Sequence, residues 1–163
     1  MEETKCDEVL MNLRKIIRAV DLSSKKLARD FGLTGPQALI LAEVRKSGGL
    51  PVSVLAERVT LSHATVTDIL NRLAKRALVT RTRDQVDKRR QLVSITEEGL
   101  ALLASAPTSL QKRFVERYEM LPNWEQSMIL ASLERVAHLM NAEDLDAAPM
   151  LTSGAVNRLE TEV

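Results

Sequence analysis

The chain is poor in the residues that form disulfides and metal sites. Its 163 residues include one cysteine, Cys6, and two histidines, His63 and His138. A single cysteine excludes a disulfide within the chain and is typical of a reducing compartment. We interpret Cys6 as a free thiol, the alternative being an oxidant sensor. Because these three residues do not fall at a metal-ligand spacing, we predict no metal site and no cofactor.

Aromatic residues are also scarce, at 2% of the chain against an apolar total of 45%. The core must therefore be built from Leu, Ile, Val, Ala and Met, a composition that favours helices. No apolar run approaches the ~18 residues that a membrane-spanning helix needs, and the N-terminus is acidic, unlike that of a signal peptide. We expect a cytoplasmic protein that does not contact a membrane.

Motifs of the common enzyme classes are absent. The sequence has no nucleophile elbow, no phosphate-binding glycine loop and no His-Glu-x-x-His run. Two histidines also leave few candidates for a general base. We predict that the protein is not an enzyme and has no catalytic residues.

Basic charge is concentrated in one segment. The net charge is only +1, but residues 72–90 contain eight bases and two acids. Six of the eight are arginines, which suit phosphates and base edges better than lysines do. Such a segment in an otherwise acidic chain indicates a nucleic-acid-binding surface. The alternative is a solvated charged face.

Apolar periodicity and capping residues predict a series of helices. One spans about residues 7–31. The next begins with Thr34 as cap, Pro36 in its first turn and Gln37 completing a capping box, and it ends at Ser47. A strand fragment at 50–52 precedes a short helix over 53–59. A fourth helix, capped by Ser62, covers about 63–77.

The second half of the chain begins with two alternating segments, 78–83 and 91–95, which predict a β-hairpin. A helix that starts at Thr96 should be kinked or split near Ser105, because Pro107 lies inside it. The last helix starts at Asn123, and we interpret Trp124 and Met140 as core residues. The acidic tail from residue 143 is expected to be loop-like.

Residues 55–73 fit the spacing of a helix-turn-helix, with small Ala56 at the helix crossing. The alternative is an ordinary antiparallel helix pair. Thr60 stands where the motif usually has glycine, so the turn is expected to differ slightly. Short polar side chains of the second helix face away from its apolar side, as in a helix that reads base edges in the major groove. The longer basic side chains near the end of this helix, Lys75 and Arg76, are expected to meet phosphate.

The hairpin loop is basic and suits a wing that enters the minor groove. Asp87 lies two residues from Arg89 and can hold that guanidinium extended, and narrow grooves attract arginine. The alternative is an arbitrary charged turn. We predict that these residues contact DNA: Ser62, His63, Thr65, Thr67, Asn71, Arg72, Lys75, Arg76, Arg81, Asp87, Lys88, Arg89 and Arg90.

The predicted fold class is mainly α with a small β-hairpin, a winged helix-turn-helix joined to a helical dimerisation layer. Its parts are an N-terminal dimerisation helix (1–33), the DNA-binding domain (34–96), C-terminal dimerisation helices (97–142) and the tail (143–163). The outer helices carry apolar faces that the middle domain cannot cover, which predicts a homodimer.

The residues resemble the MarR family of bacterial regulators. The resemblance rests on Asp87-Lys-Arg89 followed by 92–99, on Leu33-Thr34 with Gln37, and on Ala56 and Val66-Thr67. It implies a homodimer on a pseudo-palindromic operator, with Arg89 in the minor groove and Asp87 as its partner. It also implies a small-molecule effector pocket walled by the first, second and fifth helices. Ala77, where many members have glycine, could shift the end of the recognition helix.

Three segments, 18–24, 33–37 and 146–149, resemble the family branch that controls ectoine and other compatible-solute genes. The resemblance implies a regulator of osmotic-stress genes. The leading hypothesis is therefore a dimeric repressor that binds double-stranded DNA at a promoter. The alternative is a protein-interaction module that uses the winged-helix fold without DNA.

Overall fold

A computed structural model describes residues 4–83, 90–145 and 150–153 of the chain. The chain divides into two compact units, one formed by residues 1–107 with 149–163 and the other by residues 108–148. The first unit contains five helices and three strands among its described residues, and the second contains two helices. In chain order the elements are α1 (Lys5–Phe31), α2 (Gly35–Ser47), β1 (Leu50–Pro51), α3 (Val52–Val59), α4 (His63–Lys75), β2 (Val79–Arg83), β3 (Gln91–Ile95), α5 (Glu97–Ser105), α6 (Leu110–Tyr118) and α7 (Asn123–Leu139).

Capping boxes fix the starts of the first two helices. The predicted box at α2 is confirmed, because the Thr34 N–H donates to Oε1 of Gln37 at 3.0 Å and the Gln37 N–H donates to Oγ1 of Thr34 at 3.4 Å. A box that the sequence reading missed starts α1 at Lys5, through Thr4 and Asp7. Its hydrogen bond from the Thr4 hydroxyl lowers the pKa of the Asp7 carboxyl.

The core of the first unit lies between α2, α3, α4 and the sheet, with α5 packed on α2. Its buried hydrophobic cluster consists of Leu, Ile, Val and Ala, as the scarcity of aromatics predicts, and Phe31 packs against that cluster partly buried. Its largest fully buried side chains are Leu33, Pro36, Ile40, Leu41, Val44, Leu55, Val66, Ile69, Leu70, Leu73 and Val93. Gln37 is the buried polar residue among those described, and the capping box satisfies its amide oxygen.

The sheet is antiparallel with strand order β1-β3-β2. Strands β2 and β3 form the predicted hairpin, in which Val79 pairs with Ile95 and Arg83 pairs with Gln91. The short β1 pairs with the other side of β3. Its Pro51 is tolerated because β1 is an edge strand.

Helix α4 ends at Lys75, two residues before the predicted end. Arg76 forms the C-cap, and Ala77 adopts a left-handed conformation with φ of 55°. That conformation favours glycine, which has no Cβ to clash with the carbonyl. Ala77, which stands where many members of the resembled family have glycine, thus lies at the turn between α4 and the hairpin, where the left-handed conformation ends the helix.

We expect Ala77→Gly to raise the free energy of unfolding by about 1 kcal/mol, because it removes the left-handed penalty of a residue with a Cβ. Thermal denaturation should show an increase in melting temperature of about 3 °C. Ala74→Gly, inside the same helix, is the matched control and should lower stability by about 1 kcal/mol. A loss of stability in both variants would contradict the left-handed conformation of Ala77.

The helix predicted from Thr96 is split, as the position of Pro107 suggests. It forms α5 and α6, and Ser109 caps α6 by accepting the Lys112 N–H at 3.1 Å. Residues 106–109 lie outside both helices.

The core assignments in the second unit were wrong for the single chain. Trp124 is 65% exposed and Met140 is 59% exposed, and α7 has no buried residue. Two helices alone do not enclose a core. A hydrogen bond of 3.0 Å from the Tyr118 hydroxyl to the carbonyl of Gln126 joins α6 to α7. Within α6, Phe114 stacks on Tyr118 with ring centroids 5.4 Å apart.

The described parts of the tail, 143–145 and 150–153, contain no helix or strand, as predicted. Residues 150–153 nevertheless belong to the first unit and bind its first helix. The Ser153 N–H donates to Oγ of Ser24 at 3.0 Å, and the Ser153 hydroxyl donates to Asp21 at 3.3 Å. Lys25 also binds Asp21, and that hydrogen bond is the main reason why the pKa of the Asp21 carboxyl is lowered.

In the described residues, no helix is long and apolar enough to cross a membrane. The same residues contain no group of three or more His, Cys, Asp or Glu side chains that would hold a metal ion.

Candidate nucleic-acid interface

The turn between α3 and α4 has the geometry of a helix-turn-helix. Thr60 ends α3 in a left-handed conformation with φ of 55°, the conformation that glycine would adopt there. The Leu61 N–H then donates to the carbonyl of Ala56 at 3.1 Å. Thr60 thus adopts the left-handed backbone that favours glycine, and its β-branched side chain carries the strain of a positive φ.

Ser62 starts the recognition helix. Its Oγ accepts the Thr65 N–H at 3.1 Å and lies 2.8 Å from the Thr65 hydroxyl. Both predicted contact residues thus form the N-cap, where backbone N–H groups and the helix dipole favour an anion such as phosphate. His63 follows, with its Nδ1 3.5 Å from the hydroxyl of Thr67.

Helix α4 is divided into a buried side and an open side. Its four large apolar residues, Val66, Ile69, Leu70 and Leu73, are buried. The predicted contact residues His63, Asn71, Arg72 and Lys75 are exposed, while Thr65 and Thr67 are half-buried. The open side is therefore the polar side that the sequence pattern indicated.

A shallow depression of about 500 Å³ lies where α4 meets β2. Asn71, Ala74, Lys75 and Arg81 line it, so it brings together three predicted contact residues. The Arg81 guanidinium donates to the carbonyl of Thr67 at 3.2 Å, which ties the hairpin to the recognition helix. Two cationic side chains and an amide at one concave surface suit a phosphate of the DNA backbone.

Arg76 does not line this depression. Its guanidinium instead donates to the carbonyl oxygens of Gly32 and Phe31 at the end of α1. Arg90 is exposed next to β3. Asp87, Lys88 and Arg89 lie outside the described residues, so their predicted wing contacts stay predictions.

One basic residue missed in the list of contacts is Arg83. It is exposed at the end of β2, and the two-residue period of a strand places it on the same face as Arg81. This two-residue spacing from Arg81 is visible in the sequence, and it would have identified Arg83 as a candidate contact residue. Arg83 extends the basic surface from the depression toward the hairpin loop.

Comparison with known proteins places this geometry in a family. The family model described as MarR family matches residues 31–90. The regulator HosA of Escherichia coli is 33% identical over 113 residues, which cover 68% of this chain and 79% of HosA. The chain belongs to the MarR family.

Solved structures support the same fold for this MarR-family protein. The PcaV transcriptional regulator of Streptomyces coelicolor matches with a TM-score of 0.58 and 26% identity, over 80% of this chain and 96% of PcaV. PcaV in complex with its natural ligand matches with a TM-score of 0.55 and 27% identity, over 78% and 90%. A mutant of MarR from E. coli, complexed with operator DNA, has a TM-score of 0.57 at 20% identity, over 79% and 93%, and shows the fold alone.

Membership in the MarR family decides between several of the alternatives above. The pair α3 and α4 is the helix-turn-helix of a winged-helix fold and not an ordinary helix pair. The protein is a DNA-binding transcription regulator and not an enzyme.

Proposed function

We propose that this MarR-family protein is a homodimeric repressor that binds a pseudo-palindromic promoter operator. The observation that carries the proposal is the polar side of α4, which continues through Asn71 and Lys75 to Arg81 on the hairpin. A helix with this surface enters the major groove with its N-terminal residues toward the bases, while the adjoining hairpin follows the backbone into the minor groove.

Within this proposal the contact residues have different roles. Ser62 and His63 meet phosphate at the start of α4, and Thr65, Thr67, Asn71 and Arg72 face base edges. Lys75, Arg81, Lys88 and Arg90 contact the backbone. Arg89 enters the minor groove and Asp87 orients it.

The homodimer is supported by apolar surface that the single chain leaves open. Helix α1 exposes Val9, Leu10, Ile16, Ile17 and Leu22, and ten large apolar side chains are exposed among the described residues of the second unit. A soluble monomer seldom exposes so many. Covering these faces with a second copy gives two recognition helices, which must lie ~34 Å apart to read successive turns of B-DNA.

Arg89→Ala is expected to weaken operator binding by about tenfold or more, because a minor-groove arginine contributes charge and shape readout. The measurement is fluorescence anisotropy with a duplex that the protein selects from a random-sequence pool. Lys75→Ala tests a phosphate contact. The slope of log K against log salt should become shallower by about 0.9 for each phosphate contact that a substitution removes.

Glu119→Gln, at the C-cap of α6 in the second unit, is the control and should leave affinity unchanged. The alternative function, a protein-interaction module, predicts weak salt dependence and no loss in Arg89→Ala. Either of these results with a folded protein would refute the DNA-binding role of the hairpin.

Two finer parts of the proposal concern regulation. A small-molecule effector, of the kind implied by the PcaV complex with its natural ligand, would act by changing the distance between recognition helices. The regulated genes are proposed to be osmotic-stress genes, on the sequence resemblance alone. Genomic footprinting with and without osmotic stress tests this, and sites unrelated to solute synthesis or uptake would refute it.

A further inference from the structure

The residue that ends the recognition helix is bound to the end of α1. Arg76 is the C-cap of α4, and its guanidinium reaches back 44 residues along the chain to donate from Nη1 to the carbonyl of Gly32. Its Nη2 also donates to the carbonyl of Phe31 at 3.4 Å. One side chain thus joins the C-terminal ends of two helices.

The end of α1 is well suited to receive this cation. The N–H of Gly32 donates to Ala28 at 2.8 Å and the N–H of Leu33 donates to Leu27 at 3.4 Å, so the backbone caps these earlier carbonyls. The carbonyls of Phe31 and Gly32 lie beyond them, at the negative end of the helix dipole. The planar fork of arginine fits two such acceptors better than the point charge of lysine does.

Glycine at position 32 permits the close approach. A Cβ built there would lie 3.2 Å from Nη2 of Arg76, and the φ of Gly32 is +58°. A side chain at this position would therefore strain the backbone and push the guanidinium away. Gly48 offers a comparison, because its φ is +66° but no atom lies within 4 Å of a built Cβ.

We propose that Arg76 is a positioning residue, which clamps α4 to the end of α1 and acts on DNA recognition through that clamp and not through a phosphate contact. The inference rests on the proposed function of α4 as the recognition helix. Because α1 is the proposed dimerisation helix, the clamp fixes α4 relative to the dimer axis. Arg76 and its neighbour Lys75, both first expected to meet phosphate, then have different roles.

The salt dependence of binding separates the two roles. Anisotropy titrations use the duplex selected by the wild-type protein and a scrambled duplex of the same composition. Lys75→Ala should make the slope of log K against log salt shallower by about 0.9 on both duplexes. Arg76→Ala should leave the slope unchanged and reduce the preference for the selected duplex by about tenfold, a size typical of residues that couple two elements.

Two further variants break the clamp while leaving the charge in place. Gly32→Ala retains Arg76 but displaces its guanidinium, so it should lower the preference in the same direction as Arg76→Ala, whereas Gly48→Ala, with similar backbone strain and no clash, should bind like the wild type. Arg76→Lys keeps a cation that can meet phosphate, yet it should lose most of the preference.

Two results would overturn the clamp: a shallower slope of log K against log salt in Arg76→Ala, or a wild-type preference for the selected duplex in Gly32→Ala. Circular dichroism confirms at the assay temperature that each variant is folded. If the wild-type protein selects no duplex from the pool, the proposed function fails and the clamp has no role in recognition. If it selects one and Arg76→Ala keeps its preference, the clamp alone fails.

Discussion

Replacing Gly99 with alanine is expected to lower the melting temperature by about 10 °C, which corresponds to a loss of about 3 kcal/mol. A Cβ built at Gly99 would lie 2.2 Å from the carbonyl oxygen of Leu78 and 2.8 Å from Cγ1 of Ile95. Neither neighbour can retreat easily. The Leu78 carbonyl accepts the Thr96 N–H at 3.1 Å, and the Thr96 hydroxyl donates to Ala77 at 2.7 Å.

The sign of this result is informative, because helix propensity alone predicts the opposite. Glycine to alanine inside a helix ordinarily stabilises by about 1 kcal/mol. Thermal denaturation therefore distinguishes the close packing of α5 on the hairpin from propensity. Glu98→Ala, exposed in the same turn, is the control and should shift the melting temperature by no more than about 3 °C. A higher melting temperature for Gly99→Ala would contradict the packing.

Local signals in the sequence predicted the parts of the fold that local chemistry determines. The capping box of Thr34 and Gln37 and the break at Pro107 depend on residues at most four positions apart, and both were found as predicted. The buried stripe of α4 followed from the helical period in the same way. Its open side then identified the exposed residues of the candidate interface.

Contacts between distant residues were beyond such signals. The bond from Arg81 to Thr67 spans 14 positions and the bond from Arg76 to Gly32 spans 44. A charge pattern identifies both arginines as basic, but it does not tell which faces a groove of DNA and which caps a helix. That distinction depends on where the chain places α1 and the hairpin beside α4.

The burial of two side chains in the second unit was predicted wrongly for a related reason. Periodicity predicts that one face of α7 is apolar, and it does not tell what covers that face. We took the cover to be the chain's own core, and Trp124 and Met140 were assigned there. Both are exposed in the single chain, which leaves the face available to another molecule.

The proposed dimer predicts a second large effect, on α1. Ile17→Glu is expected to convert the protein from a dimer to a monomer of 18.1 kDa. Ile17 is 66% exposed in the single chain, so its loss should change the folding of the monomer by only about 0.5 kcal/mol. In a dimer that covers this face, both copies would bury an unpaired carboxylate, which is strongly unfavourable.

Size-exclusion chromatography with light scattering measures the mass, and anisotropy measures DNA binding by the same samples. Operator affinity should fall by about 10²-fold or more, because a monomer loses the high effective concentration that the second half-site gives to a dimer. Lys26→Gln, an exposed position on the same helix, makes the same change in charge and should remain dimeric. If Ile17→Glu remains a dimer, α1 does not form the dimer interface. If it becomes a monomer with unchanged operator affinity, each copy binds DNA alone.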